Sequence, residues 1–400
     1  VEIDPVLLEL LRQYFPGNWI SVLDQPSVRI FQDDPRRFLK TGNRYDLILI
    51  GMPQPDSGAT NRFYTREFFQ LARQHLRSSG IIAFRLRAGE NIWSAMTTLR
   101  NASVWQALKS EFPYTVALPG ASVIILASLG PIPTDPDVLI NRMKERQIET
   151  RLVSPPYITY LFTNDRYMET GHLLDNTNVA INSDTHPISY SYSVLIWLSK
   201  FMPSLIHLRP TKTGNIATLL VPIIVVIILG WVLKQNPRYH DVFWMGAAGF
   251  MGMILETLVL LYYQAGNGVL YQNIGALIMA FMAGLWVGAR IIANFVNSGR
   301  SKASMGGILF AMIAAAGALI AGMILTQIPM GAISALLLLF LTGFAVAGIF
   351  VVTGSGSEFE QQQAASEIYA ADLAGGCIGA VAGSLWLVPL FGMLPTAGLI

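Results

Sequence analysis

From residue 216 onward the chain is a succession of apolar runs, each long enough to cross a bilayer, and no other feature constrains its fold as strongly. The runs fall at about 216–233, 242–263, 270–295, 304–326, 330–352 and 368–390, followed by the truncated start of a seventh. Residues 213–400 carry 5 Lys/Arg and 6 Asp/Glu, against 22 and 19 in residues 1–212. A soluble domain therefore precedes a membrane domain, and the lipid bilayer is the first expected partner. Glycines recur at helix-packing spacing, as in Gly246/Gly249/Gly252, Gly284/Gly288 and Gly375/Gly379/Gly383, which predicts a polytopic all-α bundle and not a single anchor. The expected division is 1–192 for the soluble domain, 193–215 for an amphipathic connector and 216–400 for the transmembrane domain. Because Val1 stands where an initiator Met would and the chain stops inside an apolar stretch, the sequence reads as a fragment of a longer protein.

Several classes of function drop out early. A net charge of +2 without a basic block argues against nucleic acid as a partner. The single cysteine, Cys377, permits neither an intrachain disulfide nor a Cys-based metal site, and the five histidines show no ligand spacing, so no metal is expected. Nucleotide-loop and nucleophile motifs of the Walker, Gly-x-Ser-x-Gly or Cys-His kind are absent from the sequence.

The soluble part alternates strand and helix. Val1 to Ile3 read as the tail of a buried strand, and Asp4-Pro5 as the cap and first residue of a helix with apolar positions at 7, 8, 11, 14 and 15. Val28 to Phe31 form a second strand pattern, Pro35 to Lys40 a short helix, and Tyr45 to Ile50 an apolar run of the kind covered on both faces of a parallel sheet. A helix from about Asn61 to Ser79, stopped by Gly80, leads into a strand at Ile81 to Phe84. The pattern predicts a doubly wound Rossmann-like α/β sheet. Phe112 to Gly120 and Ser122 to Leu129 pair antiparallel at its edge, and Asp135 to Glu149 form a charged amphipathic helix.

Ligands of such sheets sit beyond the carboxyl ends of the strands. Glu2 ends the first strand, where a carboxylate can accept both hydroxyls of a ribose; Asp34 follows the second, where it either accepts from an adenine amine or caps the Pro35 helix. The third such position carries Gly51. In the membrane part, Glu256 lies mid-span in the second run and Asp372 in the first turns of the sixth. An ionisable group in hydrocarbon needs a partner, water or a proton. For Glu256 and Asp372 the readings are a hydrogen bond between helices, to Gln264, Tyr262, Tyr271 or Asn273, a role in moving a proton or organic cation, or, for Asp372, a helix N-terminal charge.

Val-Glu-Ile-Asp-Pro at the start, Asp34-Pro35-Arg36-Arg37-Phe38-Leu39, Tyr45-Asp46-Leu47-Ile48, the run Asn61-Arg62-Phe63-Tyr64-Thr65-Arg66-Glu67-Phe68-Phe69 and Asn182-Ser183-Asp184 resemble, in order and spacing, the spermidine/spermine synthase (aminopropyltransferase) family. Tyr369-Ala370-Ala371-Asp372-Leu373-Ala374-Gly375 extends the likeness to its membrane-fused branch. The resemblance implies an S-adenosylmethionine-dependent methyltransferase-like fold, N-terminally truncated before the glycine-rich loop, with Glu2 on the ribose of S-adenosylmethionine or its decarboxylated form and Asp34 on the adenine. Gln54, Tyr64, Asn182 and Asp184 would lie in the substrate region, with a polyamine or other small cation as partner. The family's catalytic acid, however, is replaced by Gly51, a second acid by Gln54, and the aromatics before Asn182 by Ala180 and Ile181. A glycine cannot accept a proton, so aminopropyl transfer is not expected.

Two readings stand. One is a membrane-anchored, adenosyl-binding transferase of the spermidine synthase type, with altered or lost chemistry. The other is a membrane transporter or assembly component whose Rossmann-like domain senses or docks. The expected location is a prokaryotic inner membrane. For the soluble domain, the positive-inside rule applied to Lys234, Arg238, Arg300 and Lys302 points away from the cytoplasm, and an adenosyl ligand points into it.

Overall fold

The structure is a computed structural model describing residues 1–15, 17–90, 92–201, 237–268, 271–298, 301–355 and 358–400. The expected first span at 216–233 and most of the 193–215 connector lie outside the described residues.

The chain enters through α1 (Pro5–Tyr14), capped by Asp4, whose side chain accepts from the amide of Val6, and α2 (Gly17–Leu23). After α3 (Pro35–Leu39), strands β1 (Tyr45–Ile50), β2 (Leu76–Arg87), β3 (Tyr114–Leu118) and β4 (Ser122–Ser128) form one sheet in the order β1-β2-β4-β3. β1 and β2 run parallel, while β4 is antiparallel to both β2 and β3. The sheet is thus mixed, as the expected antiparallel pair requires, but β4 is an inner strand and only β3 lies at that edge.

Two sequence expectations are corrected here. Val28 to Phe31 do not enter the sheet: the segment meets the chain start only through a parallel bridge between Glu2 and Gln32, with the Glu2 amide donating to the Phe31 carbonyl at 2.9 Å. β1 is consequently an edge strand, and Leu47 and Leu49, whose sequence marks them for burial, are 58% and 73% exposed. The helix expected from Asn61 to Ser79 is instead α4 (Gly58–Asn61), a turn that buries Phe63 and Tyr64, and α5 (Arg66–Gln74), capped by Thr65. Gly80 lies inside β2 and does not end a helix. A Cβ there would come within 2.9 Å of the Tyr45 carbonyl oxygen, so the close approach of β1 requires glycine.

One side of the sheet is packed by aromatic residues, with Tyr64 edge-on to Phe84 at 5.7 Å and Phe69 stacked on it at 5.5 Å. Helix α6 (Ala95–Lys109) is buried along most of its length, against α9 (Asp165–Asn176) and α10 (Ile188–Leu198). α7 (Pro136–Glu145) is the expected charged helix, shortened, and α8 (Pro155–Thr163) follows it. α10 runs through residue 192 without a break, so no element ends at the expected domain boundary.

The C-terminal part holds α11 (Pro237–Asn267), α12 (Tyr271–Asn297), α13 (Lys302–Leu325), α14 (Ala332–Gly354) and α15 (Glu358–Ala382), which continues as a π-helical stretch Gly383–Phe391 around Pro389. Among the described residues five helices are long and apolar enough to cross a membrane. The expected seventh span is represented by α16 (Met393–Ala397), a short helix packed against α13. Glycines set the two tightest pairings. A Cβ on Gly375 would lie 2.0 Å from the Gly246 carbonyl oxygen and one on Gly379 2.4 Å from that of Phe250, which joins α11 to α15. Equivalent distances of 2.1 Å from Gly284 to Phe340 and 2.4 Å from Gly288 to Phe344 join α12 to α14.

Candidate functional site

Along β1 and just past its carboxyl end runs a cleft of about 260 Å³ whose walls include Glu2, Phe38, Leu49, Gly51, Met52 and Phe63. One carboxylate oxygen of Glu2, Oε1, accepts from the amides of Ile3 at 2.8 Å and Asp4 at 3.0 Å, which pins the side chain. Among the described residues Oε2 accepts nothing, so one oxygen is free to meet a hydroxyl. Gly51 is open: a Cβ built there would meet nothing within 4 Å. Of the residues singled out in the sequence, the structure brings Glu2 and Gly51 together in this cleft.

The others have structural work. Asp34 caps α3, accepting from the amides of Arg36 at 2.9 Å and Arg37 at 3.2 Å, and it forms a bidentate pair with Arg62, one arm at 3.3 Å. It is 3% exposed with both oxygens engaged, so the capping alternative is realised, and an adenine amine would have to displace Arg62 to reach it. Gln54 stitches its loop to the end of β2, accepting from the Arg87 amide at 2.8 Å and donating to the Arg85 carbonyl at 3.4 Å. Tyr64 is fully buried and donates to the Met52 carbonyl at 2.9 Å, and burial raises the pKa of its hydroxyl.

Asn182 and Asp184 tie the segment after α9 into the same framework. Asn182 donates to Asn61 Oδ1 at 3.0 Å and to the Tyr64 carbonyl at 2.8 Å. Asp184 accepts from Arg36 at 2.9 Å and from the Thr65 hydroxyl at 2.7 Å, and its amide donates to Glu67 at 2.8 Å. Burial pulls the Arg36 pKa down, but the charge and hydrogen bonds of Asp184 outweigh it and hold the guanidinium above its ordinary value. Burial, and then the negative charge of Asp184, push the Glu67 carboxyl up. Sequence reasoning missed Arg36, Arg62, Thr65 and Glu67: they lay in the quoted motifs, but nothing in them marks the distant Asp184 as partner of Arg36, Thr65 and Glu67, or Asp34 as partner of Arg62.

This framework rests on the helical part. Lys40 donates to the Gly266 carbonyl at 3.0 Å, and Gly268, at φ +92°, packs so close to Asp34 that a Cβ would lie 3.0 Å from its carboxyl carbon. The Met393 amide donates to the Thr185 carbonyl at 2.7 Å, and His186 Nε2 to that of Leu390 at 3.1 Å. The α/β domain thus sits at the end of the bundle where α11 finishes.

Within the bundle, Glu256 is 9% exposed and has no hydrogen-bond or ion-pair partner among the described residues. Two of the four partners expected for it are committed elsewhere: Tyr262 donates to the carbonyls of Ile328 at 2.8 Å and Met323 at 3.1 Å, and Asn273 to the Tyr263 hydroxyl at 3.0 Å. Tyr271's side chain lies outside the described residues. Asp372 is half-buried against Gly249, about four turns into α15 and not in its first turns, so it is no N-terminal charge. Among the described residues no cluster of three or more His, Cys, Asp or Glu could hold a metal ion.

The structure thus joins a mixed α/β domain, with the carboxylate of Glu2 in the wall of an apolar cleft, to a bundle of spanning-length helices. Residues 1–126 match the spermine/spermidine synthase domain. Similar proteins include the polyamine aminopropyltransferase of Pyrobaculum calidifontis, 26% identical over 168 residues, covering 40% of this chain and 56% of the relative. That of Oceanobacillus iheyensis is 30% identical over 112 residues, covering 26% of this chain and 22% of the relative. The chain therefore spans between about a fifth and somewhat over half the length of these relatives. Among solved structures, a spermidine synthase in complex with the transition-state analogue AdoDATO is 19% identical with a TM-score of 0.36, covering 44% of this chain and 60% of that one.

Proposed function

We propose that the α/β domain binds an adenosyl compound, S-adenosylmethionine or its decarboxylated form, and does not carry out aminopropyl transfer. The observation that carries this reading is the pairing of Glu2 with Gly51 in one cleft: a free carboxylate oxygen for ribose hydroxyls, and no side chain where a base would stand. Asp34 contributes by position, capping the helix that supplies Phe38 and Leu39 to the cleft wall. The acids beside the Asn61 to Phe69 run point the same way. Asp34 and Asp184 are each taken by an arginine, which leaves neither free for an ammonium group of a polyamine.

The five described spanning-length helices support the membrane half of the reading. The chain is an integral protein of a prokaryotic inner membrane, with the α/β domain on the cytoplasmic side, where adenosyl compounds are made. Calorimetry on the full chain in detergent should show binding heat with either adenosyl compound, lost in Glu2→Ala. Putrescine with decarboxylated S-adenosylmethionine should yield no spermidine by mass spectrometry. Equal heats for wild type and Glu2→Ala overturn the binding half, and spermidine formed at enzyme-like turnover overturns the other. A second reading, a transporter whose α/β domain senses or docks, is favoured by one observation, the unpartnered Glu256.

A further inference from the structure

We propose that Glu256 is a proton-binding site of the helical bundle, a carboxyl that takes up and releases a proton between α11 and α14. Its neighbours in the fold are satisfied and it is not. Thr257 donates to the Met253 carbonyl at 2.9 Å, Asn267 to that of Met330 at 2.6 Å and Thr342 to that of Leu338 at 2.8 Å. Glu256, 9% exposed, has no partner among the described residues. An ionised carboxylate without a donor is strongly disfavoured in such surroundings, and the smallest ligand that relieves it is a proton.

The register of the helices supplies an acceptor for that proton. Gly252 abuts Val346 and Asn267 reaches Met330, so α11 and α14 run antiparallel and Glu256 lies level with Thr342. The Thr342 hydroxyl is 1% exposed and spends its hydrogen on Leu338, which leaves its lone pairs to accept from a protonated acid at that level. No fixed charge opposes the exchange. α14 carries no titratable residue, nor do α4, the π-helical stretch and α16. On α15 the described acids and tyrosine are Glu367, Tyr369 and Asp372; Asp372 is level with Gly249 and about 10 Å along the axis from Glu256, and the other two lie further off towards the start of the helix. On α13, Lys302 sits at the far end, bonded to the Ser355 carbonyl. On α11 itself Tyr262 is engaged with main-chain carbonyls, Tyr263 accepts from Asn273, and His240 and Asp241 pair with each other more than three turns away. The exchange is a hydronium ion giving its proton to the carboxylate, leaving water and a neutral acid, and the reverse.

The test uses the full chain in vesicles of phosphatidylethanolamine and phosphatidylglycerol, treated with dicyclohexylcarbodiimide from pH 5.5 to pH 9. The reagent enters apolar regions and adds the O–H of a protonated carboxyl across its C=N bond, so the product keeps every atom of both and is read by mass spectrometry at residue 256. Labelling of Glu256 at acidic pH that falls at least tenfold towards pH 9, and is absent in a folded Glu256→Gln variant, supports the proposal. Labelling independent of pH would mean a permanently neutral structural acid and overturns it. So does the lack of labelling at every pH. Folding of Glu256→Gln is verified by its elution and thermal unfolding in detergent, and the wild-type pH series stands whether or not that variant folds.

Discussion

The ammonium group of Lys40 lies 3.0 Å from the carbonyl oxygen of Gly266, so a cation of the α/β domain caps the carboxyl end of α11. The last carbonyls of a helix are its negative pole and have no partner within it, which makes this a favourable seat for a lysine. It also ties the domain to one end of the bundle.

That contact makes the topology testable. In a Cys377→Ala background, cysteines at Ser78 in the α/β domain and Gln327 between α13 and α14 should be labelled by a membrane-impermeant maleimide from the same side. A cysteine at Ser298, beyond the other end of α12, should be labelled from the opposite side. All three positions are exposed, so failure of Ser78 and Gln327 to share a side would contradict the docking.

Breaking the buried pair of Asp34 and Arg62 should be costly. Both side chains are nearly inaccessible, and removing one partner leaves an uncompensated charge as well as, for Asp34, an uncapped helix. Asp34→Ala should lose roughly 3–5 kcal/mol, measured by denaturant unfolding of the detergent-solubilised chain. The double change Asp34→Leu with Arg62→Met, which removes both charges, should recover a large part of that loss.

The glycine contacts predict a contrast between two alanine substitutions. Gly284→Ala places a methyl 2.1 Å from the Phe340 carbonyl oxygen, so α12 and α14 must separate, at roughly 1–3 kcal/mol. Gly307→Ala, where nothing lies within 4 Å, should leave the thermal transition near its wild-type position.

Acid should weaken the seam between α6 and α9. Burial raises the Asp175 pKa, but hydrogen bonds from Lys109 at 2.7 Å and Trp105 at 2.8 Å outweigh it and depress the carboxyl below its ordinary value. A depressed acid stabilises the fold above its unfolded pKa, and that stabilisation is lost as pH falls through the folded value. Unfolding midpoints of the wild type should therefore fall below about pH 4, and Asp175→Asn should flatten this limb. The effect is modest, since the pair is half-exposed and screened by solvent.

Much of the molecule is written locally in the chain. Apolar runs about twenty residues long have one way to satisfy their backbone in lipid, so the five described spanning-length helices follow from residue order alone, as do their glycine seams. Asp4-Pro5 and Asp34-Pro35 announce helix starts because capping is settled within three residues. That position 51 carries no side chain is likewise visible without coordinates. What residue order does not carry is partnership across distance. Whether Asp34 faces a ligand or caps a helix depended on Arg62, and whether Asp184 was free depended on Arg36, both brought in by folding. The place of β4 between β2 and β3, the strand that passes Gly80, and the isolation of Glu256 among satisfied neighbours arise in the same way. Hydrophobic periodicity reports only which face of an element avoids water, whereas the fate of each buried charge is decided by which other element arrives to neutralise it, and only the tertiary structure makes that choice.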